Sequence, residues 1–168
     1  YTVIAAEVVE GAASLSIVFE DLASNPGVTK TAVMDGSLVT IDLTPPTLTG
    51  VSIMSSNGAD TARANVGDTI TLSIAASEAV TLPTVLIAGN SADGIAGVGT
   101  ETPGPSYTGY SATYMVVASE VSEGVSSISI EFEDSSSNPG ETRNTVMDGT
   151  VVTIDLTPPT LTGVSIMS

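Results

Sequence analysis

The chain has 168 residues, of which 42% are apolar and only 4% aromatic, with no Trp, Cys or His. Its 3 basic residues against 19 acidic ones leave a net charge of −16, which repels phosphate backbones and excludes a nucleic-acid partner. Disulfides and thiolate metal sites are excluded by the missing Cys, and no apolar run approaches the roughly 20 residues that span a bilayer, so no membrane insertion is expected in this segment.

Taken in chain order, the pattern is that of strands and turns. Strands are expected at Leu48–Met54, at Ile70 to Ala76, at Thr84–Ile87, at Tyr110–Ala118, at Val125 to Asp134 and at Val151–Leu156. In the second of these, Ile70, Leu72, Ile74 and Ala76 point one way while Thr71 and Ser73 point the other, the period-2 alternation of a half-buried strand. Ile128, Ile130 and Phe132 alternate likewise with Ser129 and Glu131. The turn signals Asn57-Gly58, Ala92-Asp93-Gly94, Ser122-Glu123-Gly124, Asn138-Pro139-Gly140 and Asp148-Gly149 fall between them. The Gly- and Pro-rich stretch 89–107 reads as a long surface loop or a weakly paired edge. Tyr110 and Tyr114 share one strand face and are expected to pack inside. Met54, Met115 and Met147 are expected to fill gaps in the core.

The chain also repeats itself. Residues 1–55 align without a gap on residues 114–168, an offset of 113, with about two-thirds or more of the positions identical. That period is too long for a solenoid turn and has the size of a whole sandwich domain. With about seven short strands, the fold expected is all-β, an immunoglobulin-like β-sandwich in tandem repeats. Thr44-Pro45-Pro46 and Thr157-Pro158-Pro159 mark stiff linkers, because consecutive prolines hold the backbone extended. Residues 1–46 are then the C-terminal half of a preceding repeat, 47–159 one complete repeat, and 160–168 the first strand of the next. Tyr1 is not a natural start, so a piece of a longer chain is expected. The partners expected are neighbouring copies of the same repeat, in the same chain or in strand-donating chains.

Catalysis is not expected. Without His the usual general bases are missing, and the only Lys, Lys30, lies outside the complete repeat. The carboxylates carry a different chemistry. Glu133, Asp134, Asn138 and Asp155, and their earlier copies Glu20, Asp21, Asn25 and Asp42, offer hard oxygen ligands near a domain junction. Glu78, Glu120 and Glu123 can add to them. Oxygen-rich clusters of this kind suit Ca²⁺. Asp and Asn also favour turns through bonds to their own backbone, and that reading stands beside the metal one.

The run Asp155-Leu156-Thr157-Pro158-Pro159-Thr160-Leu161, the segment Val66-Gly67-Asp68-Thr69-Ile70-Thr71-Leu72 followed by Ser77-Glu78-Ala79-Val80, and Phe132-Glu133-Asp134 with Asn138 resemble bacterial Ig-like repeats of large microbial surface adhesins and biofilm proteins. The resemblance implies tandem Ig-like domains, secretion to the cell surface, and a stalk, sheath or filament role. It also implies Ca²⁺ at the junctions, with ligands at Asp134, Asn138 and Asp155. The turn Asp134-Ser135-Ser136-Ser137-Asn138-Pro139-Gly140 departs from the family's usual Asp-x-x-Gly-Asn. The leading expectation is a structural repeat that supplies length and stiffness. The alternatives are an adhesin module binding a carbohydrate or surface ligand through residues 89–107, and an accessory domain of a carbohydrate-active enzyme.

Overall fold

The structure, a computed structural model, describes residues 8–101 and 105–167. Residues 1–7, which the sequence matches to 114–120, lie outside the described residues, as do 102–104 of the 89–107 stretch. The chain divides into two compact units, Tyr1–Thr44 and Pro45–Ser168. The described residues contain no helix.

The first unit holds two short strands, β1 (Gly11–Ala12) and β2 (Thr40–Ile41), paired antiparallel. The second holds β3 (Leu48–Ser55), β4 (Arg63–Ala64), β5 (Thr69–Val80), β6 (Thr84–Ile87), β7 (Asn90–Ser91), β8 (Gly94–Glu101), β9 (Tyr107–Met115), β10 (Gly124–Val125), β11 (Ile128–Glu131) and β12 (Thr153–Ile154). One sheet has the order β3-β5-β9-β8 and is antiparallel throughout. The others are β11-β6-β7 and β10-β12-β4, the last with β12 and β4 parallel. The inner residues of these sheets form one apolar cluster. Val51, Ile53, Ile70, Leu72, Ile74, Tyr110, Ala112 and Tyr114 come from the four-stranded sheet. Val85, Ile87, Ile128, Ile130, Ala64 and Ile154 come from the facing strands, and Phe132 and Val152 from the residues next to them. Two layers closed on a shared core are consistent with a β-sandwich.

The strands form where the alternation places them, with shifted bounds: the strand expected at Tyr110–Ala118 is Tyr107–Met115, and the one expected from Ile70 to Ala76 runs from Thr69 to Val80. The expected strand from Val125 to Asp134 is two strands. Val125 pairs with Thr153, whereas Ile128 pairs with Ile87. Between them Ser126 N–H donates to Val152 O and Ser127 O accepts from Ala88 N–H, so the chain turns a corner from one sheet to another. The last strand is shorter than expected, Thr153–Ile154 only. The 89–107 stretch is an edge: β8 hydrogen-bonds to β9 along its length, which a Gly-rich sequence can do because the ladder uses only backbone.

The methionines correct the sequence reading. Met54 and Met115 are about half exposed, and Met147 nearly so. Each of the first two follows a buried residue of its own strand, Ile53 and Tyr114, so strand parity turns it outward. Tyr110 and Tyr114 are buried as expected. Tyr110 donates its hydroxyl to Val80 O at 2.9 Å, and Tyr114 donates to Glu120 at 3.1 Å.

Candidate functional site

The carboxylates singled out by sequence are held by their own turns. Asp134 is 1% exposed. Its Oδ1 accepts the backbone N–H of Ser136 at 2.8 Å and of Asn138 at 2.9 Å, and its Oδ2 accepts the Asn138 side-chain amide at 2.8 Å. Asp134 N–H closes the loop by donating to Asn138 O. Ser137 sits in the left-handed region at φ 64°, a conformation that costs about 1 kcal/mol or more for a residue with a Cβ. The bonds to Asp134 hold it there.

The same turn recurs 113 residues earlier. Asp21 Oδ1 accepts Ala23 N–H and Asn25 N–H at 2.9 Å each, Oδ2 accepts the Asn25 amide at 2.9 Å, and Ser24 has φ 64°. The Asn25 side-chain amide, and after it the Asn25 backbone N–H, hold the Asp21 carboxyl below its ordinary value. Glu20 and Glu133 are exposed, and each sits in an isolated bridge to the proline of its turn, Pro26 and Pro139.

Glu78 lies where the register of β5 against β9 slips, between Ala75 and Val80. Val80 bridges Asp134, and Thr81 N–H donates to Glu133 O. That ladder brings a carboxylate oxygen of Glu78 within 4.8 Å of one of Asp134. Two oxygens sharing one Ca²⁺ at roughly 2.3–2.6 Å are at most about 5 Å apart, so this spacing fits a shared cation.

Asp155 is elsewhere in the same unit. Its N–H donates to Ala64 O, beside the start of β5, while Asp134 is bridged to the end of β5. Within this unit Asp134 and Asn138 therefore lie toward one end of β5 and Asp155 toward the other. Asp155 Oδ1 accepts Thr157 N–H at 3.1 Å, and Asp42 in the first unit accepts Thr44 N–H at the same distance.

One role was missed. Glu123 Oε1 accepts the N–H of Leu156 at 2.8 Å and the hydroxyl of Thr157 at 2.6 Å. In the first unit Glu10 accepts the Thr44 hydroxyl at 2.7 Å. A glutamate at one offset thus braces the residue before each Pro-Pro pair. The signal available was the repetition of Glu10 as Glu123, but nothing local ties it to a threonine 34 residues away.

A cavity of about 320 Å³ opens beside that brace, lined by Asn57, Arg63, Asn65, Asp155, Thr157 and Pro158 among others. It holds no pair of groups placed for proton transfer or nucleophilic attack, since its titratable members are one carboxylate and one guanidinium. No model of a known protein family matches the chain, and a search of curated proteins found no match.

Proposed function

We propose that the chain is a structural segment of an extracellular cell-surface stalk, sheath or filament, built from tandem Ig-like repeats of about 113 residues. Its work is mechanical: each sandwich is a stiff bead, and a braced Pro-Pro linker limits bending between beads. The observation that carries this reading is that backbone detail recurs at the sequence offset. The pairing Gly11↔Ile41 recurs as Gly124↔Ile154, the bridge Ile17↔Lys30 as Ile130↔Arg143, and the bond Gly27 N–H to Phe19 O as Gly140 N–H to Phe132 O. The Asp35–Ser37 bond likewise recurs as Asp148–Thr150, both at 3.0 Å. Local geometry copied this closely is what a length-giving array needs, whereas a recognition site gains little from uniform multiplication. The strand order β3-β5-β9-β8, faced by β6 and β11, is supporting topology for an Ig-like sandwich. The test is electron microscopy of the native material. The 12 residues of β5 at about 3.3 Å each set a bead length near 40 Å. An axial repeat of about that size is expected, and material without a regular period would refute the reading.

Calcium belongs to the same proposal. Glu78 and Asp134 lie at the end of the sandwich where β3 begins, since Leu48 pairs with Ala76. Asp155 lies at the end where the linker leaves. Head-to-tail joining brings those two kinds of end to one junction, with Glu78 and Asp134 of one repeat and Asp155 of its predecessor as the oxygen donors. Bound there, Ca²⁺ would supply charge neutralisation in a chain of net charge −16. A titration of thermal stability with Ca²⁺ and then chelator tests it; a melting temperature that moves with neither removes the ion from the account.

A further inference from the structure

The two copies of the second half-repeat differ in one respect: one has its apolar face covered and the other does not. Ile130, Phe132 and Val152 are 0%, 7% and 1% exposed, while their counterparts Ile17, Phe19 and Val39 are 54%, 51% and 66% exposed. Among the described residues, two strand pairings are missing from the first unit in the same way. β11 pairs with β6 over four residues, yet the counterpart of β11, residues 15–18, forms no strand. β12 pairs with both β10 and β4, whereas β2 pairs with β1 alone. The partners that cover the second copy, β3 to β9, all come from one stretch of sequence, residues 47–113 and the first residues beyond it.

We propose that the bare face formed by residues 8–44 is a docking surface for a further polypeptide with the sequence of residues 47–113. The inference rests on the repeat reading above and names the partner that reading requires. What covers Ile130, Phe132 and Val152 is known residue by residue, and Ile17, Phe19 and Val39 present matching side chains on the same turn and bridge geometry. An intact second copy of the chain is not the occupant. Each copy carries two second halves but one first half, and that first half is already closed on residues 114–156. Docking uses two modes at once: apolar side chains meeting across the layers, and a strand edge equivalent to β6 added along residues 15–18. Met147 N–H donates to Val51 O at 2.8 Å, and Thr150 Oγ1 accepts from Ile53 N–H at 3.0 Å. Met34 and Ser37 occupy the equivalent positions for the incoming strand.

The test follows amide exchange at Ile17 and Lys30, which bond each other's carbonyls at 2.9 and 3.0 Å, as Ile130 and Arg143 do. The intact 168-residue chain is refolded from urea with and without a polypeptide of residues 47–113. Protection of Ile17 and Lys30 should rise by at least about 100-fold, towards the values of Ile130 and Arg143. Ile17→Asp and Val39→Asp, both at exposed positions, should abolish the rise while leaving residues 114–156 protected as before. A second format joins residues 47–113 directly ahead of Tyr1, which removes dependence on the solubility of the free polypeptide. Unchanged exchange in both formats overturns the proposal. So does protection that appears in the chain alone and grows with its concentration, because a bare face would then be closing on another bare face or on the Thr160–Ser168 tail of a second copy. A regular axial period in the native material together with unchanged exchange would remove this docking surface and leave the repeat reading standing.

Discussion

Replacing Asp134 by Ala separates a turn-holding carboxylate from one that serves a metal alone. The substitution removes three hydrogen bonds to a buried charge, from Ser136 N–H, Asn138 N–H and the Asn138 amide. Bonds to charged groups contribute about 1.5–3 kcal/mol each. Ser136 is exposed and Asn138 half-buried, so water recovers part of the loss. The net cost expected for Asp134→Ala is about 3 kcal/mol, a large share of the 5–15 kcal/mol typical of a domain. With a urea slope of about 2 kcal/mol per molar, the unfolding midpoint should fall by about 1.5 M. The measurement is made in chelator, so that no divalent ion contributes. Asp134→Asn keeps Oδ1 as acceptor for both backbone donors, and the Asn138 amide can turn to offer its oxygen instead. Its cost should be about 1 kcal/mol. Asp21→Ala is the matched control, since Asp21 makes the same bonds at an exposed position; it should leave the transition of Pro45–Ser168 where it was. A midpoint for Asp134→Ala within about 0.3 M of the parent in chelator would refute the hydrogen-bond argument.

Three further outcomes follow from the packing and the titratable groups. Ile130→Ala should cost about 2–5 kcal/mol by urea unfolding, because Ile130 is wholly buried, whereas Ile17→Ala should not shift the same transition. Burial raises the Tyr110 hydroxyl above its ordinary value of 10.0, and burial followed by the Glu120 hydrogen bond does the same for Tyr114. The folded state then holds protons that the unfolded state has released, so stability is full below pH 10 and is lost as pH rises through the folded values. Urea midpoints should be level up to about pH 9.5 and fall beyond it; a midpoint still level above about pH 11 would contradict this. Glu123→Ala should speed amide exchange at Leu156 about fivefold, the equivalent of one hydrogen bond of about 1 kcal/mol, with no change at Ile130.

Much of the fold is legible in the sequence because one face of each long strand is buried and the other is not. The alternation of Ile70, Leu72 and Ile74, and of Ile128, Ile130 and Phe132, carries that directly into inward and outward positions. The methionines were misread because hydropathy was given precedence over parity: Met54 follows Ile53 and precedes Ser55, both buried, and so must face out. The break between β10 and β11 leaves no trace in composition, since a strand that changes sheets keeps its alternation. At the candidate site, Asp134 and Asn138 were legible as oxygen donors meeting in one turn. Their capping geometry was not separable from metal ligation, because both roles use the same carboxylate. The reach of Glu123 to Thr157 is a tertiary contact with no local signature.

The central claim is that each stretch of about 113 residues is one mechanical unit. Stretching a polypeptide of several such repeats, joined head to tail through their Thr-Pro-Pro linkers, tests it most directly. An extended residue spans about 3.5 Å, so releasing one 113-residue unit and subtracting a folded length of about 40 Å should lengthen the chain by about 350 Å per event. Evenly spaced events of that size, one for each repeat, are predicted. Steps of about half that length, or extension without discrete events, would mean that the half-repeats come apart independently and that the sandwich is not the unit of the array.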